Sequence, residues 1–577
     1  MPCKPTSRAF AEFEVLPMSL AETANDNVAP RPAEEARPDT QQTPSPRPAA
    51  GVPMPVWKMP LYMAASVLLF LTQGLGMNLL TANIYQLQGS FSATTTEVSW
   101  LSAAYMAPYA SMSIALFKIR TQYGLRRFAE LGIICFVVAA VLNLLVTDLH
   151  SAIVVRTLSG MAAAPLSTLG FLYMLEPFPQ EKKLSLGISF ALMCTLFASP
   201  VARIVSPSLL QFGGYEALYM FEMGLALIVF PIIYLLPLTA PPRANVIQLH
   251  DILSYLLLAV GFGCLAVVLT LGRLYWWFEA PWIGVLLAIS VGSIALMLAI
   301  ELPRSSPLID FRWLFSGANM RMAGVLLLFR FVSSEQSSSA ASFYQQLGLL
   351  NDQTETLYAI ILLASLAGGL FCAFLMTTRY VETAHVLALA LIAGGAFLDS
   401  QSTSLTRPPQ MYLSQAMVAA GAAMFLPPVM ANGFKAAMSR GMPYIVNFLV
   451  IFVFTQSIGS LFASAMLGTF VTIREKFHSN VLVEHILLQD PIVAQRISQL
   501  SAAYGKVLGD KMLLNAEGLV LLAQQVSREA YILAYNDTFL VIGYASVFGL
   551  IVILLHQAWR RLAWPRTSQP DATPAQS

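Results

Sequence analysis

Fourteen runs of mostly apolar residues follow one another along this chain, at 61–82, 98–117, 128–147, 152–175, 184–209, 217–238, 251–272, 281–301, 320–345, 356–377, 384–400, 410–434, 443–471 and 538–560. A helix needs about 20 such residues to cross the hydrocarbon of a bilayer. In lipid every backbone polar group must be satisfied within the segment, so runs of this length and number leave helices as the spanning structure. Only 11% of the 577 residues are charged, against roughly 25% in soluble domains. The sequence therefore predicts an all-α integral membrane protein.

The charges that remain orient the spans. One set of loops, including "KIRTQYGLRR", "QEKK", "FKAAMSR" and "WRRLAWPR", holds 16 Lys and Arg, while the opposite short loops hold only Arg273 and Arg407. Positive charge in short loops marks the cytoplasmic side. Both termini are thus expected in the cytoplasm, as an even number of spans requires, with the chain multi-pass in the cell inner membrane. The segment 472–537 is the exception: it is basic yet falls on the outer side, which long translocated loops tolerate. Its apolar residues recur at helical spacing in "VLVEHILLQDPIVAQRISQL", which predicts short amphipathic helices, either a solvated cap or a docking surface for another protein. The Pro-, Ala- and charge-rich stretch 1–56 reads as a disordered cytoplasmic tail rather than a cleaved signal, and 564–577 as a second tail.

Several kinds of chemistry find no support. The five cysteines form no CxxC pair, and Cys135, Cys194, Cys264 and Cys372 sit in apolar runs as small core residues. The histidines at 150, 250, 385, 478, 485 and 556 lie in loops or near span ends and share no metal spacing. No GxxxxGK loop is present, so ATP-driven transport has no support either. No cofactor is expected, and a membrane enzyme such as an acyl or glycosyl transferase would need a clustered nucleophile, base or metal that the sequence does not offer.

Ionisable residues deep within the spans carry the functional signal, because each costs about 2.5–3.5 kcal/mol on insertion scales and such residues face the bundle interior. They are Arg156, Arg203, Glu222, Arg330 and Glu335. Glu130, Glu301 and Asp399 lie near span ends and call for no special account. Arg203 and Glu222 flank the turn "LQFGGY" almost symmetrically, so antiparallel helices leaving it carry both to one depth, and an ion pair is expected if the two helices are adjacent. Arg330 and Glu335 are five residues apart, about 140° around a helix, and are not expected to neutralise one another. Each then needs a partner elsewhere, or water. Gln73, Asn78, Tyr344 and Gln415 are further polar candidates on spans one, nine and twelve. The Pro pair in "FLPPVMANGF" predicts a kink.

The order of spans and loops resembles the fourteen-helix drug:proton antiporters of the major facilitator superfamily, the EmrB/QacA type. The resemblance rests on "YGLRR" (Tyr123–Arg127), "RTLSGMAAAP" (Arg156–Pro165), "SPLIDFRWLF" (Ser306–Phe315) and "SIGSLFASAMLGT" (Ser457–Thr469). It implies two six-helix bundles around a central cavity, with two extra helices between them and alternating access by rocking. The matching division is a first bundle at 57–240, a two-helix insert at 241–305, second-bundle helices at 306–471, a periplasmic loop at 472–537 and a last span at 538–563. The resemblance also implies a periplasmic adaptor (membrane fusion) protein as a partner, which 472–537 would receive.

The chain departs from that pattern where the family is charged. Gly76 stands where span one usually holds Asp, Phe117 and Thr121 replace a Gly and an Asp after span two, and Ser159 replaces a Gln. Ala202–Arg203 replaces a Gly-Pro, and Glu222 stands for an Asn. The reading is proton-coupled export of small amphipathic compounds, with Glu335, Glu222 and Arg156 as proton-coupling residues. Arg330, Arg203, Gln73, Asn78, Tyr344 and Gln415 are the expected substrate-binding residues. Three buried arginines against two buried acids favour a neutral or anionic amphipath, such as an aromatic acid, over a lipophilic cation. The alternative is a transporter-like sensor or assembly protein with no coupling.

Overall fold

The computed structural model describes residues 55–563 apart from 240–242, 305–306, 379 and 508. The expected tails at 1–56 and 564–577 lie almost wholly outside these residues. No strand occurs among the described residues, and each of the fourteen expected segments is helical. Among the described residues, eleven helices are long and apolar enough to cross a membrane on length and composition alone.

The first group contains α1 (Met59–Ala82), the short α2 (Ile84–Phe91), α3 (Thr95–Tyr123), α4 (Leu125–Leu144), α5 (Leu149–Leu175), α6 (Ile188–Thr195) and α7 (Ala198–Leu235). Local chemistry sets their ends. Thr94 and Glu97 form a reciprocal capping box at the start of α3, and the Asp148 side chain accepts from the first amides of α5. Gly124, at φ +86°, turns the chain between α3 and α4 where a side chain would be strained. Gly213 and Gly214 leave helical geometry and fold α7 back on itself, which makes two spans of one continuous stretch. Leu69, Tyr105, Phe136, Leu166 and Tyr173 form the core of this group.

Two insert helices, α8 (Leu249–Leu271) and α9 (Pro281–Glu301), pack on α3 through Ile114, Leu258, Phe262 and Met297. The second group begins with a rod: α10 (Gly317–Ser334), a π-helical segment at Glu335–Ala340, and α11 (Ala341–Gln346). It continues with α12 (Asn351–Met376), α13 (Val381–Asp399), α14 (Tyr412–Met438), α15 (Met442–Glu484), α16 (Pro491–Ser501) and α17 (Lys511–Ala563). Phe329 and Phe425 stack in its core at 4.7 Å between ring centroids. The segment 472–537 differs from the expected loop of short helices. Helix α15 runs on to Glu484 and α17 starts at Lys511, so only α16 is short. Asp537 ties the two long helices together, accepting from Arg474 Nε at 2.6 Å and lying 2.7 Å from His478 Nε2. The end of the bundle that carries these prolongations is called the extension end below.

Candidate functional site

Two buried polar clusters form inside the body, one in each group of helices. The first gathers on Arg156 of α5, whose side chain is 1% exposed. Its Nη1 lies 3.4 Å from Glu222 Oε2, and its Nη2 donates to the backbone carbonyl of Gly76. The guanidinium stands over the rings of Tyr105 and Tyr219, 5.5 and 5.7 Å from their centroids, an arrangement that favours a cation. Two glycines make the cluster fit. A Cβ on Gly76 would sit 2.8 Å from Glu222 Oε1, and one on Gly160 would sit 2.1 Å from the Tyr105 carbonyl oxygen. Gly160 is one helical turn from Arg156, so its missing side chain lets α3 close onto α5 and lays Tyr105 over the charge.

The expected ion pair between Arg203 and Glu222 is therefore not formed. The two residues do flank the Gly213–Gly214 reversal, yet they leave α7 on different sides. Glu222 faces α1 and α5, whereas Arg203 faces α12, where its Nη1 donates to Asn351 Oδ1 at 3.2 Å and its guanidinium lies 5.0 Å from the Tyr358 ring centroid. Equal distance from a turn fixes depth and says nothing about rotation about the helix axis. Asn351 extends this contact by donating to Ala82 O at 2.9 Å and Asn83 Oδ1 at 3.0 Å. One side chain of the second group thus joins α1 and α7 of the first at the extension end.

The second cluster centres on Glu335, the first residue of the π-helical segment. Such single-turn π segments recur at functional sites. Glu335, Gln415 and Asp399 are 0%, 0% and 1% exposed. Gln415 Nε2 donates to Glu335 Oε1 at 2.9 Å and to Asp399 Oδ2 at 2.7 Å, so one amide bridges two carboxyl groups. Glu335 Oε2 is buried and meets no hydrogen-bond partner, and the Asp399 carboxyl neighbours that of Glu335. Gln336 Nε2 donates to Gln415 O and Oε1 from the next position of the rod. The hydroxyls of Tyr344 and Tyr358 are buried beside the cluster with no hydrogen-bond partner. No cation pairs with either carboxyl among the described residues.

Glu335, Gln415 and Tyr344 are thus brought together, and Arg156 with Glu222. Arg330 stands apart from Glu335, as their spacing predicts, with a buried Nε that has no acceptor and Tyr109 of α3 for a neighbour. Gln73 meets the first cluster through its carbonyl, which accepts from Tyr105 at 3.3 Å, while Asn78 donates to Gly74 O within its own helix at 2.7 Å. Asp399 was not singled out from the sequence because it ends a helix, where a charge is ordinarily solvated. The available signal was its position: a carboxylate at a helix C-terminus opposes the macrodipole. At the opposite end, Lys118 pairs at 2.8 Å with Asp251 of the insert, and Asp251 also meets Arg304 at 2.9 Å. An acid from α8 thereby serves the basic cluster whose own Asp position is Thr121.

Many apolar helices enclosing uncompensated carboxyl groups define a multi-pass membrane protein with ionisable groups held inside its bundle. A profile described as the Major Facilitator Superfamily matches residues 66–464, and the chain belongs to that superfamily of transporters. Among relatives, it is 25% identical over 245 residues to a probable multidrug resistance protein, EmrY, of Escherichia coli strain K12, covering 40% of this chain and 45% of that protein. It is 24% identical over 246 residues to multidrug resistance protein 3 of Bacillus subtilis strain 168, covering 42% and 46%. The match thus spans less than half the length of these two relatives. Along 514 residues it is 22% identical to the multidrug export protein EmrB of Haemophilus influenzae, covering 86% of this chain and 94% of the relative. Solved structures share the fold: a proton-dependent oligopeptide transporter at TM-score 0.52 and 13% identity, covering 88% of this chain and 100% of that one, and the proton:xylose symporter XylE at TM-score 0.50 and 11% identity, covering 86% and 96%.

Proposed function

We propose that this transporter exports small amphipathic compounds, drugs or aromatic and other organic acids, across the inner membrane in exchange for protons by alternating access. The observation that carries the reading is Glu335: a carboxyl group within a helical rod of the bundle, wholly buried, with no cation paired to it among the described residues. A fixed structural acid would be expected to hold a basic partner, as Glu222 holds Arg156. Export is in keeping with the names of the relatives, which are multidrug resistance and multidrug export proteins. Arg156 and Glu222 then act as the latch of the first group, and Tyr344 and Gln415 as the neighbours of the coupled proton.

Neither Arg203 nor Arg330 forms an ion pair with a carboxylate among the described residues, which favours a neutral or anionic amphipath. Gln73 and Asn78 of α1 complete the proposed substrate contacts. With both termini cytoplasmic, the extension end is periplasmic, and the prolonged α15 and α17 with α16 form the surface for an adaptor protein. Glu335→Gln is expected to abolish export from inverted vesicles while leaving the amount of protein in the membrane unchanged. Normal export by that variant would move the proton site away from Glu335.

A further inference from the structure

We propose that the coupled proton is held by Glu335 and Asp399 as a pair, one O–H shared between two carboxyl groups across the Gln415 amide. The proposal rests on the exporter reading above and adds to it a second acid and a bridging residue. Its basis is geometric. Two carboxyl groups from different helices, the rod and α13, accept from the same nitrogen at 2.9 and 2.7 Å. An amide nitrogen has two hydrogens, one for each acid, and its orientation is fixed by Gln336 donating to the Gln415 oxygens. The remaining oxygen, Glu335 Oε2, is buried with no hydrogen-bond partner in the structure, and Asp399 is the acid beside the Glu335 carboxyl. Two carboxylates this close, out of water and without a cation, cannot both be ionised; they share one proton, as paired acids in other proteins do.

The surroundings point the same way. Tyr344 on the rod and Tyr358 on α12 each bury a hydroxyl that meets nothing in this closed arrangement, and both lie within the field of the acids. The hollow bounded by Arg203, Tyr344 and Asn351 offers room for about one water on the Tyr344 side of the pair. Among the described residues, the titratable and charged groups facing the pair are Tyr344 from the rod, Tyr358 from α12 and Arg203 from α7, with Ser414 and Gln415 of α14 as polar neighbours. A proton arriving from the periplasmic side forms one O–H bond on the pair. Its departure toward the cytoplasm breaks that bond and leaves two like charges on one amide, which drives the rod and α13 apart.

The test is infrared difference spectroscopy of the full chain in lipid nanodiscs, following the carboxylic-acid carbonyl band as pH is stepped, without substrate. The wild type should show one titration, and both Glu335→Gln and Asp399→Asn should move its midpoint by about one pH unit or more, as coupling between the groups requires. An Asp399→Asn protein whose band titrates as in the wild type overturns the proposal. If Asp399→Asn does not fold, Asp399→Glu restores both acids and should keep a single titration; two independent ones overturn the proposal. Because no transport is measured, the readings separate: shifts in both variants together with normal export by Glu335→Gln would retain the shared proton and refute its coupling to export.

Discussion

Removing Arg156 alone should be far more damaging than removing both Arg156 and Glu222. At the observed 3.4 Å, two unit charges attract by about 5 kcal/mol at an effective dielectric of about 20, before desolvation. Desolvating both groups offsets most of that gain, so the pair as a whole contributes little, whereas either charge left alone is stranded. Breaking a buried pair costs roughly 3–5 kcal/mol, while replacing both members with apolar residues of similar volume is often neutral or better. Arg156→Met also gives up its place over Tyr105 and Tyr219, about 0.5–1 kcal/mol for each ring. The expected order of thermal stability for purified protein in detergent is therefore wild type near Arg156→Met/Glu222→Met, with Arg156→Met well below both. Steric trapping in bicelles converts the order into free energies. A single variant as stable as the wild type, or a double variant no better than the single, would refute the pairing and the latch built on it.

Two other substitutions read the packing directly. Gly160→Ala places a Cβ against the backbone of Tyr105, a contact of 2.1 Å that only helix separation relieves. It should lower stability by about 1–3 kcal/mol in the same thermal assay, while Gly224→Ala, with nothing within 4 Å, should be neutral or slightly stabilising. Asn351→Ala removes hydrogen bonds to Ala82, Asn83 and Arg203, each about 0.5–1.5 kcal/mol. Labelling of a cysteine placed at Ala82 by a hydrophilic thiol reagent should then quicken roughly tenfold or more.

The helices were legible in the sequence because each is a local signal: about 20 apolar residues bounded by a turn. The reversal in "LQFGGY" was equally plain from its Gly pair, and Gly214 takes a positive φ of 60° there. What the pattern did not contain was rotation of one helix against another. Arg203 and Glu222 sit at matching depth, yet the neighbours of α7 send them to different partners. Glu222 meets Arg156 because Gly76 and Gly160 are small enough to admit it, a condition spread over α1, α3 and α5 that no single stretch displays. The separation of Arg330 from Glu335 was legible from spacing alone. Asp399 was hidden by its position at a helix end, yet its carboxyl points inward to accept from Gln415, 16 residues on. The helical character of 472–537 followed from its apolar spacing, but the continuity of α15 and α17 did not, because amphipathic spacing marks a helix without marking where it stops.

The account turns on whether a proton at Glu335 and a substrate move in opposite directions through one protein. In proteoliposomes, an imposed pH gradient of either sign should drive an amphipathic acid toward the more acidic compartment, and Glu335→Gln should leave both directions at the level of empty vesicles. Movement of that substrate that is indifferent to the sign of the gradient, or unchanged by the substitution, would contradict it.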